Sequence, residues 1–130
     1  MATRCRIAVE LDGNTYKSIY CHYDGDEEWT GKVLREHYQN AEVVHRLIER
    51  GDIRYLEPEV ERCPRVRKGW RPAKETDWRG LFEQALLDNA EYLYIYDPEG
   101  EQWIVIYLDA IHDGCFIASD GRSCWAVEVE

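Results

Sequence analysis

The chain has 130 residues, with 26 Asp+Glu against 16 Lys+Arg for a formal net charge of −10; 45% of residues are hydrophobic and 32% are charged. That length holds one domain, 1–130, and that apolar share excludes a disordered polyelectrolyte. No apolar run approaches the ~18 residues of a membrane span, the first six residues lack the apolar stretch of an export leader, and no nucleotide-binding glycine loop, zincin helix or nucleophile elbow occurs.

Cys5, Ile7, Val9 and Leu11 alternate with other residues, which predicts a half-buried strand over 4–10. The turn cluster Asp12-Gly13-Asn14-Thr15 joins it to a β-rich run over 16–23, so the two read as a hairpin. Its register is open by one residue: either Tyr20 and His22, or Ile19, Cys21 and Tyr23, face the core. After the polar loop 24–28, Thr30 is expected to cap a helix over 31–39, with Val33, Leu34, His37 and Tyr38 inward and Lys32–Glu36 as an i,i+4 pair. Asn40 ends it and caps a second helix over 41–50. There Val44, Leu47 and Ile48 form the apolar stripe, Glu42–Arg46 is the supporting pair, and Gly51 is the stop.

Residues 52–76 have little periodicity and carry three of the four prolines, so they read as a basic excursion of the kind that is often functional. Thr76 or Asp77 caps a third helix over 78–88 with Leu81, Phe82, Ala85 and Leu86 inward. A second hairpin joins 91–97 to 102–108 through Asp97-Pro98-Glu99-Gly100. A third joins 115–118 to 123–127 around Asp120-Gly121. The expected architecture is α+β, ββ-ααα-ββ(ββ): an antiparallel sheet of two or three hairpins with three short helices packed on one face.

Charge is uneven along the chain. Residues 61–80 hold 7 basic and 3 acidic side chains, whereas residues 81–130 hold 1 basic and 11 acidic. An acidic surface is repelled by free nucleic acid and drawn to basic clefts.

Four groups of residues invite a chemical reading. Five cysteines (Cys5, Cys21, Cys63, Cys115, Cys124) form no close pairs. Neither Cys21-His22 nor His112-x2-Cys115 makes a zinc pattern, so free thiols are expected and no metal or cofactor is assigned. His22 and Asp24, two apart at a strand end, would let a carboxylate orient an imidazole base; no obvious nucleophile accompanies them, although Ser18 and Cys21 are near in sequence. Tyr92, Tyr94, Tyr96 and Trp103 share one face of the second hairpin. With Leu93 and Ile95 taking the core side, that face presents an aromatic contact surface; the alternative is that both faces of the sheet are covered and the stripe is core. Finally, Arg62, Arg65, Arg67, Lys68, Trp70 and Arg71 combine cations with an aromatic, as nucleic-acid grips do. The carboxylate excess elsewhere opposes such binding. Docking on an acidic surface, whether the chain's own, a second copy's in a homodimer, or a partner's, is favoured over it.

The stretch Ser18-Ile19-Tyr20-Cys21-His22-Tyr23-Asp24-Gly25, followed by Gly31-Lys32-Val33-Leu34-Arg35-Glu36-His37-Tyr38, resembles a group of small phage and prophage accessory proteins with a Ser-Ile-Tyr-Cys-His-aromatic-Asp-Gly strand end. The second helix, 41–52, and the aromatic hairpin, 91–107, fit the same pattern, and the likeness covers about half the chain. It departs after Gly25, where Asp-Glu-Glu-Trp-Thr replaces a Pro- and Gly-bearing loop. The resemblance carries no catalytic residue across. It implies a mobile-element origin, a host-cytoplasm setting and, by analogy, an anti-defence role of the anti-CRISPR kind.

The function expected from the sequence is therefore non-enzymatic. It is inhibition of a host defence or nucleic-acid-handling machine by stoichiometric binding, with carboxylates standing in for phosphates in a basic cleft. The contact residues expected are Asp24, Asp26, Glu27 and Glu28 in one loop, Asp97, Glu99 and Glu101 in another, and Tyr92, Tyr94, Tyr96 and Trp103 as apolar anchors. The alternatives are a small enzyme or nucleotide-binding domain using His22 and Asp24, and a nucleic-acid-binding module using the basic excursion.

Overall fold

β1 (Cys5–Asp12) and β2 (Thr15–Cys21) pair antiparallel in a computed structural model that describes residues 2–108 throughout, and residues 115–117 and 123–125 by their backbone. Cys5 lies opposite Cys21 and Ile7 opposite Ile19, which fixes the register. Ile19 and Cys21 share the face of Cys5, Ile7 and Val9, while Tyr20 falls on the other face beside Arg6 and Ser18. Leu11 departs from the alternation, because the pairing shifts between Glu10 and Asp12 and leaves Leu11 exposed.

A π-helical turn, Glu27–Gly31, leads into α1 (Lys32–His37). Its cap is Asp26, which accepts from the Trp29 amide at 3.3 Å; Thr30 lies inside the turn and donates to the Asp24 carbonyl at 2.6 Å. The helix therefore begins earlier than the capping rule for Thr30 predicts. Asn40 caps α2 (Ala41–Ile48) by accepting from the Val43 amide at 3.0 Å, and Asp77 caps α3 (Trp78–Leu87) through the Gly80 amide at 2.8 Å. All three helices fall short of the ~12–15 residues an isolated helix needs, so packing on the sheet holds them. No described helix is long and apolar enough to cross a membrane.

The sheet has five strands in the order β3-β2-β1-β4-β5, with β3 (Lys74–Thr76), β4 (Tyr92–Asp97) and β5 (Gln102–Tyr107). The protein is α+β, but the sheet is mixed rather than antiparallel, because β1 and β4 run parallel. The third hairpin forms a separate two-stranded sheet, β6 (Cys115–Ile117) with β7 (Ser123–Trp125). Its expected Asp120-Gly121 turn lies outside the described residues, as does His112.

The helices also divide between the two faces instead of sharing one. Cys5, Ile7, Val9, Ile19, Tyr94, Tyr96 and Val105 pack under α1 and α2 through Val33, Leu34, Val44, Leu47 and Ile48. Ala8, Leu93, Ile95, Ile106 and Leu108 pack under α3 through Leu81, Phe82 and Ala85. Both faces of the central strands are thus covered. On α3, Gln84 takes the inward place expected of Leu86, which is 44% exposed; on α1, His37 is exposed.

This burial corrects the aromatic contact surface. Tyr94 and Tyr96 are fully buried, with hydroxyls donating to the Gly25 carbonyl at 2.7 Å and the Gln39 carbonyl at 3.3 Å. Trp103, half-buried, donates its indole N–H to the Tyr38 carbonyl at 2.8 Å, and Tyr92 stacks on Tyr94. A Tyr or Trp whose polar tip is satisfied inside is a core residue.

Candidate anion-binding site

The excursion after α2 extends the sheet. β3 covers the edge of β2 only at 16–18, and residues 52–54 cover the rest of that edge. The Ile53 amide donates to the Tyr20 carbonyl at 2.8 Å, the His22 amide to the Ile53 carbonyl at 3.1 Å, and the Tyr23 amide to the Arg54 carbonyl at 2.7 Å. A further layer follows, with the Arg54 amide donating to the Pro64 carbonyl and the Val66 amide to the Asp52 carbonyl. Because Ile53 pairs with Cys21, strand alternation places Asp52 and Arg54 on the face of Tyr20 and His22.

On that face lies a cavity of about 470 Å³, lined by Tyr20, His22, Arg54, Arg67, Lys68 and Arg71. Its one carboxylate, Asp52, is buried and already engaged, since it accepts from the Tyr20 amide at 2.9 Å and from Arg71 Nε at 2.6 Å. Arg71 also reaches Asp88 at 3.3 Å and lies 5.8 Å over the Tyr20 ring. Behind it, the buried guanidinium of Arg6 donates to Asp88 at 2.8 Å and to the Ser18 hydroxyl at 2.8 Å. Two arginines and two carboxylates therefore balance one another under the cavity floor. Burial pulls the Arg6 pKa down, and the carboxylates oppose that pull.

The remaining cations are not balanced. Among the described residues, Arg54, Arg67 and Lys68 have no carboxylate partner. Elsewhere Lys17, Arg35, Arg46, Arg62 and Arg79 pair with Glu49, Glu27, Glu61, Glu59 and Glu83, while Arg4, Lys32, Arg50, Arg65 and Lys74 also have no carboxylate partner among the described residues. What sets Arg54, Arg67 and Lys68 apart is that they line one cavity. In a chain of net charge −10, three unmatched cations around one cavity form a positive hole in a negative surface.

His22 lies at the rim, with Nδ1 2.6 Å from the Tyr20 hydroxyl and its ring edge-on to Tyr23 at 4.4 Å. Burial, and then the positive charge of Arg4, hold its pKa below the ordinary imidazole value. Nδ1 and the Tyr20 hydroxyl share one hydrogen bond, whose donor is set by the imidazole tautomer. Tyr20, not Asp24, is thus its partner. The chain leaves the strand after Cys21, and Asp24 turns away in the left-handed region at φ 56°. Ser18 and Cys21 are both fully buried, and Cys21 faces the opposite core.

The basic loop is held in place from below. Gly51 sits at φ +76°, and a Cβ there would meet the Trp70 ring at 2.6 Å and the Arg71 carbonyl at 2.7 Å. Trp70 donates its indole N–H to the Arg50 carbonyl at 3.2 Å, and Arg65 lies 5.7 Å over the same ring. Part of the excursion therefore docks on its own chain, with Arg71 pairing to Asp52 within the excursion and to Asp88 at the end of α3.

The two carboxylate groups read from the sequence do not meet. Asp24 and Glu28 are exposed, Glu27 faces Arg35 at 3.7 Å and Asp26 is spent as a cap. This group lies beyond the end of β2, near Cys5. Asp97, Glu99 and Glu101 lie at the opposite end of the sheet, beside Glu10 and Asp12. Burial and the charges of Asp97, Glu99 and Asp12 raise the Glu10 pKa, so negative potential is concentrated there. Cys5, Cys21 and Cys63 are buried free thiols, and the side chains of Cys115 and Cys124 lie outside the described residues. Among the described residues no three His, Cys, Asp or Glu side chains are grouped to hold a metal ion.

No family model, curated protein or solved structure matches the chain.

Proposed function

We propose that the protein binds a phosphate-bearing ligand of the nucleotide class in the cavity formed by β2, residues 52–54 and the basic loop. The observation that supports it most is the set Arg54, Arg67 and Lys68, cations that line one cavity without a carboxylate partner among the described residues. A concave site of this size fits a small ligand. Charge-assisted hydrogen bonds from Arg and Lys suit phosphate oxygens, and Tyr23, 42% exposed beside His22, offers a ring for a base. The role is capture rather than turnover, supported by the burial of Ser18 and Cys21, the serine and cysteine nearest His22 in sequence. This reading joins two of the sequence alternatives, the His22 site and the basic excursion, in one place.

Isothermal titration with a nucleoside 5′-monophosphate at low salt tests it. The account expects binding that weakens as salt rises. It also expects a loss of about 100-fold or more in the Arg54→Gln/Arg67→Gln/Lys68→Gln variant, given about 1.5–3 kcal/mol for each charge-assisted bond. All three side chains are at least partly exposed, so the variant should keep its fold. Unchanged affinity in a folded triple variant contradicts the proposal.

A second reading, inhibition of a host machine by a carboxylate surface, is favoured by the potential at Glu10, Asp97 and Glu99. Its anchors reduce to Tyr92 and Trp103, both half-buried, since Tyr94 and Tyr96 serve the core. Reversing Asp97, Glu99 and Glu101 to Lys should then weaken salt-sensitive capture of the target from a host lysate. Undiminished capture rules that surface out.

A further inference from the structure

We infer that the ligand is an oligonucleotide of at least two residues, lying along the sheet face with phosphates on both sides of Arg71. This deepens the reading above and rests on it. A second cavity of about 260 Å³ is lined by Arg6, Arg71, Lys74 and Gln84, so Arg71 belongs to the walls of both. The two cavities open on one face of the sheet. Arg6 is the register partner of Tyr20, and Lys74 that of Ser18, two residues back along β2. Arg71 between them is fixed by Asp52 and Asp88 and flanked by the Tyr20 ring, yet its side chain is 45% exposed.

Charge separates the two lobes. In the smaller one Arg6 is neutralised by Asp88, and Lys74 is the unmatched cation. Among the described residues Lys74 Nζ donates to the neutral Gln84 amide oxygen, at 3.0 Å, and has no carboxylate partner. The larger lobe carries three unmatched cations. A terminal phosphate bears more charge than an internal phosphodiester. Three cations in the wide lobe and one in the narrow lobe match a 5′-terminal phosphate followed by one diester. A mononucleotide in the wide lobe leaves Lys74 unused.

The test compares a 5′-phosphorylated mononucleotide with 5′-phosphorylated dinucleotides of ribose and deoxyribose, titrated into the wild-type protein and into Lys74→Ala and Lys74→Glu. The expected result is a dinucleotide affinity at least 10-fold above the mononucleotide for one or both sugars. Lys74→Ala should remove that gain, and Lys74→Glu should make the dinucleotide the weaker ligand, while mononucleotide affinity stays within twofold. Lys74 is exposed on an edge strand, and a thermal melt confirms that both variants fold. Equal mono- and dinucleotide affinities, indifferent to residue 74, overturn this inference and leave the cavity reading standing. Absence of binding by either ligand overturns both.

Discussion

Replacing Asp88 with alanine will destabilise the protein by about 3–5 kcal/mol, the usual cost of stranding a buried charge. The Arg6 side chain is 2% exposed, and Asp88 is its direct counter-ion at 2.8 Å. Without it the guanidinium keeps the Ser18 hydroxyl and carbonyl, both neutral, and the more distant field of Asp52. For a domain whose total stability is about 5–15 kcal/mol this is a large fraction, visible in thermal unfolding as a drop of roughly 10–20 °C. Arg6→Met should cost much less, because Asp88 keeps Arg71 and Gln84 as donors and the methionine fills part of the space. Urea unfolding of both variants checks the order. Equal small losses would mean that the ion network contributes little.

Gly51→Ala will both destabilise the protein and disable the site. A non-glycine residue at φ +76° costs about 1–2 kcal/mol, and displacing a packed ring costs about 1–3 kcal/mol more. The Cβ can be housed only if Trp70 and the Arg71 backbone withdraw, and Arg67, Lys68 and Arg71 travel with them. Gly69 is the matched control. Its φ is +77°, but no atom lies within 4 Å of its Cβ position, so Gly69→Ala carries the backbone strain alone. The expected pattern is a loss of about 2–5 kcal/mol and at least 10-fold in nucleotide affinity for Gly51→Ala, against about 1–2 kcal/mol for Gly69→Ala. Equal behaviour of the two variants would show that Trp70 packing does not position the loop.

Local elements were legible in the sequence because their signals are local. The Asn40 cap, the Val44–Leu47–Ile48 stripe and the Gly51 stop are set by neighbours a few residues away, and so is the pairing of 92–97 with 102–107. Pairing between distant segments was not. The parallel match of Cys5 with Tyr92 joins residues more than eighty positions apart, and it turns an antiparallel design into a mixed sheet. Periodicity also cannot say that two layers cover the sheet. Alternation puts Leu93 and Ile95 on one face and Tyr94 and Tyr96 on the other and leaves open whether one face or both are covered; both sets are buried. What makes the tyrosines acceptable inside is a pair of carbonyls, at Gly25 and Gln39, brought there by the chain's path.

The site was half visible in the same way. His22 and the basic excursion were each singled out, but as separate features. Their meeting depends on residues 52–54 docking beside β2, for which the one local hint is the apolar Ile53 between Asp52 and Arg54. Tyr20 partners His22 because the backbone stays paired with residues 53–54 through Tyr23, whereas the positive φ of Asp24 breaks the alternation. The balance of Arg6, Asp52, Arg71 and Asp88 joins four remote positions and leaves no sequence pattern at all.

The central claim is that an acidic protein holds a phosphate-bearing ligand in the positively lined cavity beside β2. Amide chemical-shift mapping of the 15N-labelled protein, titrated with a nucleoside 5′-monophosphate at low salt, tests it most directly. The account predicts saturable shifts at Tyr20, His22, Arg54 and residues 66–71, with Asp24, Glu28, Glu99 and Glu101 unmoved. A spectrum that does not change, or that changes only away from that cavity, contradicts it.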